Sequence, residues 1–287
     1  VIDKNFETTV PGKWVLSGEH AVLTGAAALA LPHPEFRLSL KFVDGGTGLV
    51  VSPEDARGVV ADVLGALHVP EQNGHLTIES SIPTGAGLGS SAALCVGLTR
   101  WIAPQLGVGE LSFRDFATRL EDRFHGKSSG MDVAVVQEGR PILYRMGRSP
   151  EPVALDRLPH FTFHDTGLRA KTQDCVEQVQ RFRRDDPWQG ELLDERMNRA
   201  TQLIVSGLNR FQHDSEGLRE VAEGMTLGSH CFEQWGLKPD SVKALEAKLK
   251  NEGALATKLT GAGGGGMVVA LWGLPKGPAY PIQSEES

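Results

Sequence analysis

The chain has 287 residues but only three cysteines and two tyrosines, and no apolar run long enough to cross a bilayer. Cys95, Cys175 and Cys231 are odd in number and widely spaced, with no metal-ligand pairing. That excludes a disulfide framework and a cysteine metal centre, and it suits a reducing cytoplasm. Cys95 stands in an apolar helical run and reads as a buried thiol. Positive charge is also short: the formal net charge is −7, and no basic stripe with interleaved aromatics is present, which argues against a nucleic-acid surface. The one basic cluster, Arg181-Phe182-Arg183-Arg184, is followed at once by Asp185 and Asp186 and reads as a solvated helix end. There is no internal repeat, no low-complexity segment and no secretory signal. The first motif starts so near residue 1 that little is expected to precede it. The tail from Gly273 to Ser287 reads as irregular. The expected partner is a small-molecule substrate, with no nucleic acid and no membrane, and the expected state is a monomer or homodimer.

Glycine is plentiful, at 34 residues, and three motifs use it. The most informative is Pro83-Thr84-Gly85-Ala86-Gly87-Leu88-Gly89-Ser90-Ser91-Ala92-Ala93. A strand-like segment, Gly74 to Ile82, runs into it, and Leu94, Leu98, Trp101 and Ile102 recur behind it at helical spacing. Glycines let backbone N–H groups approach an anion, and a helix N-terminus adds its dipole. Gly85, Ala86, Gly87, Leu88, Gly89, Ser90 and Ser91 therefore form a candidate phosphate cradle with two hydroxyls at its mouth. A plain strand–helix connection capped by Ser90 or Ser91 is the other reading. The loop lacks the Gly-Lys-Ser/Thr ending of a Walker A site, so a lysine serving phosphates must come from elsewhere.

The second motif is Pro11-Gly12-Lys13-Trp14-Val15-Leu16-Ser17-Gly18-Glu19-His20-Ala21-Val22. Lys13 precedes a short apolar strand and Glu19-His20 leave it, either toward a site or merely toward water. The third, Gly261-Ala262-Gly263-Gly264-Gly265-Gly266, lies between strand-like Leu255–Leu259 and Met267–Leu271. So many glycines cost ordering entropy, which a close backbone approach would explain.

Two carboxylates lie between these motifs. In a helix starting near Phe113 the apolar face is Phe113, Phe116, Ala117, Leu120 and Phe124. Glu121 lies roughly 80° from its centre, as a half-buried metal ligand or as a surface glutamate paired with an arginine. In His125-Gly126-Lys127-Ser128-Ser129-Gly130-Met131-Asp132, the aspartate is either the third-position acid of a helix capped by Ser129 or a carboxylate in reach of a substrate hydroxyl. Elsewhere residues 1–45 read as strands, Ser52-Pro53-Glu54-Asp55 opens a helix running to about His68, Ser91–Leu106 is helical, and Arg140–Arg145 is a strand. Helices fill 169–251 before a final strand pair. Strands first and helices later argue an α+β fold.

The three motifs, in this order, resemble the signatures of the GHMP small-molecule kinases, and within that superfamily they are most similar to the mevalonate kinases. The resemblance implies a two-lobed fold, with an N-terminal domain over 1–155, a C-terminal domain over 156–287 and the active site in the cleft between them. It implies ATP and Mg²⁺. Carried over residue by residue, it makes Asp132 the acceptor of the hydroxyl proton assisted by Lys13, and Ser91 with Glu121 the metal ligands. The glycine loop, Gly85 to Ser91, would bind the ATP phosphates, and Gly261, Gly263 and Gly264 would serve as the third motif. Glu19 and His20 would face the acceptor, though a strand-end histidine satisfied by a backbone carbonyl is an alternative for His20. Two departures are visible: Met131 where isoleucine is usual, and Lys127-Ser128 where Thr-Pro is common. The implied reaction is phosphorylation of the primary hydroxyl of (R)-mevalonate. Phosphomevalonate, the mevalonate 3-hydroxyl and homoserine are alternative acceptors, and a non-catalytic sensor is the alternative class.

Overall fold

The computed structural model describes residues 5–107, 110–125 and 128–273. Lys127 and the tail beyond Gly273 lie outside the described residues, so the expectations made for them find no counterpart here. Among the described residues the chain forms two compact units. One takes the segment up to Lys13, Pro32–Pro83 and Gly89–Gly139; the other takes Trp14–Leu31, Thr84–Leu88 and the chain from Arg140 onward.

The first unit is built on β1 (Asn5–Ser17, as far as Lys13), β2 (Ala28–Asp44, from Pro32), β3 (Leu49–Ser52), α1 (Arg57–Ala66) and β4 (Gly74–Ser80). It is completed by α2 (Ser90–Ile102), α3 (Glu110–His125) and α4 (Met131–Glu138). β4 pairs antiparallel with β2, with Leu40 opposite Ile78, and parallel with β3, with Val51 opposite Leu76. On β2 the side chains alternate: Leu38, Leu40 and Phe42 are buried while Arg37 and Lys41 face water. This is the period-two pattern of a sheet with one covered face. α2 supplies the cover. A methyl group at Gly97 would stand 3.5 Å from Leu38 and 3.7 Å from Leu40, and the Trp101 ring lies 4.9 Å from that of Phe42.

The second unit continues with β5 (Ile142–Tyr144), β6 (Glu151–Pro152), β7 (Phe161–Asp165), α5 (Thr172–Asp185), α6 (Pro187–Phe211), α7 (Gly217–Gln234), α8 (Asp240–Asn251), β8 (Ala256–Thr260) and β9 (Met267–Leu271). β9 is the centre of an antiparallel sheet in the order β7-β9-β8. Every residue of β8 and β9 is buried. The core gathers Leu193, Met197, Val221, Phe232, Leu249, Leu259 and Val268.

Four local expectations change. The helix opened by Ser52-Pro53-Glu54-Asp55 begins with a 3₁₀ turn, Glu54–Ala56, capped by Pro53, and is α-helical only over Arg57–Ala66. α2 is capped by Gly89, in the left-handed conformation (φ 75°), not by Ser90 or Ser91, which lie in the first turn. α3 already includes Glu110, so it begins before Phe113. α4 starts at Met131 after Gly130 (φ 78°), making Asp132 its second residue instead of the third.

Candidate active site

Lys13 ends the β1 stretch of the first unit among apolar neighbours, and its side chain is 4% exposed. An ammonium so deeply buried needs a counter-charge. Asp132 supplies it: Lys13 Nζ stands 2.8 Å from Asp132 Oδ2, and the carboxylate side chain is 30% exposed. The aspartate sits in the first turn of α4, where the helix dipole also favours negative charge. Ser129 supports the turn by accepting the Met131 N–H at 3.3 Å.

Glycine at position 89 brings the loop onto this pair. A Cβ there would fall 2.6 Å from Lys13 Cγ and 3.2 Å from its Cε, so any side chain would collide with the lysine. The loop therefore enters α2 along the lysine stem, with Ser90 and Ser91 the next two residues.

Glu121 belongs to the same group. It is buried at 3% exposure, and its Oε2 has no hydrogen-bond partner among the described residues. Burial first, and then the charge of Asp132, push its carboxyl up to about 8, with Lys13 pulling the other way. The surface reading of Glu121 therefore gives way to a buried carboxylate short of a partner. The Cys95 thiol is buried and free, and burial and the Glu121 charge push it upward.

The second unit holds a different group. Glu19 is 3% exposed, and its carboxylate is taken up by Lys258, itself 1% exposed. Lys258 also donates to the Leu259 carbonyl at 2.6 Å and lies 4.8 Å from the centre of the Phe232 ring. Burial lowers the lysine, and Glu19 offsets that. Glu19 thus joins Lys258 and not the Lys13 group. Thr260 ties the same strand to the first motif, accepting from Val15 N at 2.8 Å and donating to Val15 O at 3.0 Å.

His20 is 5% exposed and has a backbone outside the favoured regions, at φ 61° and ψ −43°. Its ring meets Trp235 at 5.4 Å and Phe232 at 5.9 Å. Nε2 lies 2.8 Å from the Ala262 carbonyl. A carbonyl only accepts, so Nε2 carries the proton. Burial lowers the imidazole to about 4, leaving Nδ1 a bare acceptor, closed to solvent and without a partner among the described residues. The carbonyl-bonded alternative for this histidine is the geometry observed.

The third glycine loop packs tightly, as its composition suggested. Gly261 (φ 89°) faces Gly87, whose Cα would lie 3.2 Å from an added methyl, and one at Gly266 (φ 82°) would meet Ala86 O at 2.7 Å. Gly263 and Gly264 turn against Leu237 and Ala170. Gly85 is covered by Arg169, whose Nε donates to Thr84 O at 3.3 Å. Ala86 and Gly87 of one motif are therefore seated on the other.

The sequence reading passed over Lys258 and Arg183. Lys258 had a signal, a lone charge within a strand otherwise without charge. Arg183 had none, because Asp185 and Asp186 offered it local counter-charges.

Family models describe two stretches of the chain: residues 56–140 match the GHMP kinases N terminal domain and 208–277 the GHMP kinases C terminal domain. A mevalonate kinase of Pyrococcus horikoshii is 30% identical over 92% of this chain and 87% of its own length. The chain belongs to the GHMP kinases. One from Aeropyrum pernix, also a mevalonate kinase, matches at 30% identity over the same shares of the two chains. Among solved structures, Leishmania major mevalonate kinase in complex with R-mevalonate superimposes with a TM-score of 0.78 at 23% identity, over 94% of this chain and 88% of that one. Lactococcus lactis galactokinase complexed with galactose superimposes at 0.68 and 17% identity, over 94% and 86%. As a GHMP kinase the chain takes ATP as phosphoryl donor. The N-terminal match contains the glycine loop, Glu121 and Asp132; the C-terminal match contains Lys258 and the third glycine loop. No helix among the described residues is long and apolar enough to cross a membrane.

Proposed function

We propose that this GHMP kinase transfers the γ-phosphoryl group of ATP to the primary hydroxyl of (R)-mevalonate, giving 5-phosphomevalonate and ADP. The observation that carries the chemistry is the Lys13–Asp132 pair, with one partner buried and the other partly open. The names of the relatives at 30% identity support the choice of acceptor. Asp132 accepts the hydroxyl proton as the oxygen bonds to the γ-phosphorus and the bond to the β–γ bridging oxygen breaks. Lys13 holds Asp132 through their ion pair and neutralises charge on the transferring group. The glycine loop and the N-terminus of α2 hold the β- and γ-phosphates.

Glu121 fits a divalent cation: it is a buried carboxylate with a bare oxygen, and magnesium prefers a few protein oxygens with phosphates and water. Glu121 and the Ser91 hydroxyl would hold it, and the ion would neutralise phosphate charge. Glu19 and His20 act on the acceptor side through the fixed turn they form, since their own polar groups are engaged or enclosed. Three buried free thiols suit a reducing cytoplasm.

The test is ADP release with Mg-ATP over mevalonate, phosphomevalonate, homoserine and galactose. Turnover confined to mevalonate, with the phosphate on the primary oxygen by ³¹P NMR, is expected. Preference for another alcohol would replace the acceptor assignment. ATP binding without turnover of any alcohol would favour a sensor.

A further inference from the structure

Arg183 lies near the end of α5, in the basic cluster that reads as a solvated helix end. Arg181 and Arg184 are indeed exposed. Arg183 is not: its side chain is 16% exposed. The guanidinium grips Asp194 of α6 at two points, Nε to Oδ2 at 3.0 Å and Nη2 to Oδ1 at 2.6 Å. The same Nη2 donates to the His20 carbonyl at 3.1 Å. Asp194 Oδ2 accepts in turn from the Thr24 hydroxyl at 3.2 Å, a hydroxyl also 2.9 Å from Ala21 O. The helices close in around the arginine because residue 190 is glycine: a methyl there would stand 3.0 Å from Arg183 Cα.

A planar guanidinium held at two points by a carboxylate has a fixed direction, which a lysine ammonium cannot reproduce. The second N–H of Nη2 is spent on one main-chain carbonyl. That carbonyl belongs to His20, the residue with the unfavoured backbone. Such a conformation persists only where the surroundings over-determine it. The ring end of His20 is held by Ala262 and the carbonyl end by Arg183.

The geometry points to Arg183 as a positioning residue for acceptor binding, acting through the His20 carbonyl to hold the Gly18–His20 turn, with Asp194 and Thr24 as its brace. This rests on the reading that Glu19 and His20 belong to the acceptor side of the reaction. Arg183 itself touches no reacting atom.

Steady-state kinetics of the full chain test it, with the two substrates varied separately. Arg183→Met raises the KM for mevalonate by about 10- to 100-fold, the scale of a small misplacement in a site, and leaves the KM for ATP within about twofold. Arg183→Lys, which keeps the charge and one contact, recovers part of the loss, and Arg181→Gln on the exposed face of the same helix changes neither constant. Equal rises in both KM values, or an unchanged acceptor KM in folded Arg183→Met protein, overturn the proposal. Should that variant not fold, Arg183→Lys and Asp194→Asn are read by the same split.

The wild-type chain guards against confusion with the substrate assignment. If it phosphorylates a different alcohol, the split is measured with that alcohol. If it phosphorylates none, the two-bond ¹H–¹⁵N histidine spectrum decides. The His20 ring signals, identified with His20→Gln, shift in Arg183→Lys if Arg183 holds the turn; unmoved signals overturn it.

Discussion

Among the buried lysine–carboxylate pairs of the described residues, Lys13–Asp132 in the first unit and Lys258–Glu19 in the second differ in how far water reaches them. In Lys13–Asp132 the lysine is 4% exposed and the aspartate 30%. In Lys258–Glu19 the figures are 1% and 3%. An open carboxylate keeps a face toward solvent, where a hydroxyl proton can reach it. A sealed pair has no such face; it holds chain segments 239 residues apart in sequence. On the proposed mechanism the same two functional groups serve chemistry in one place and architecture in the other, with exposure separating them.

Removing the charge of the open pair has the largest expected effect on turnover. Asp132→Asn keeps shape and polarity but cannot take a proton, so kcat is expected to fall by about 10²- to 10⁴-fold. ATP affinity, followed by nucleotide fluorescence, should stay near the wild-type value. Near-normal kcat in this variant would remove Asp132 from the role of base.

The sealed pair should answer in stability instead. Lys258→Met leaves the buried Glu19 carboxylate without its counter-charge, a loss of about 3–5 kcal/mol in such cases. Chemical denaturation would measure it. Adding Glu19→Gln to Lys258→Met should restore a large part of that loss, because the uncompensated charge is gone. A Lys258→Met protein as stable as wild type would mean that water reaches the pair after all.

These two pairs were not equally legible. Lys13 and Asp132 lie inside short motifs whose residue types and spacing carry chemistry, and the glycine loop announced itself between a strand and an amphipathic helix. Lys258 lies in the strand-like segment before the third glycine loop, yet its partner is set by the tertiary fold. Arg183 was hidden more completely, since its acceptor at His20 is 163 residues away while acids stand two and three positions along the chain. β3 was missed because four residues, Leu49–Ser52, give too short a pattern, and its parallel partner β4 follows a helix. The caps were misread for a local reason: serines usually cap helices, but Gly89 and Gly130 take left-handed backbone that serine adopts poorly.

Histidines extend the contrast to pH. His20, in the second unit, donates from Nε2 to Ala262. His33, in the first, accepts at Nδ1 from the N–H groups of Glu35 and Phe36 at 3.2 and 3.1 Å. Burial lowers both to about 4 from the usual 6.5. The unfolded chain therefore binds protons first as pH falls below 6.5, so native stability declines from there until the folded values are reached near 4. Each histidine contributes at most about 3 kcal/mol to that decline. Urea unfolding at steps from pH 7 to 4 should show it, and His20→Gln and His33→Gln should each flatten the slope. An unchanged slope in both would mean that neither ring is held neutral.

Glu121 marks the smallest effect and the sharpest sign. It shares the first unit with the open pair but resembles the sealed one in burial, at 3% exposure, and it lacks a lysine of its own. A carboxylate in that position destabilises the metal-free protein. Glu121→Gln should therefore stabilise the chain without Mg-ATP, by about 1–3 kcal/mol, the cost of a buried polar group left unsatisfied. The same change should weaken the dependence of turnover on Mg²⁺ and lower kcat. A residue kept only for packing would lose stability on substitution, or be indifferent to it, and would leave the magnesium dependence alone. Opposite signs in thermal unfolding and in turnover are what a cation site predicts, because the carboxylate is strained until a positive charge arrives.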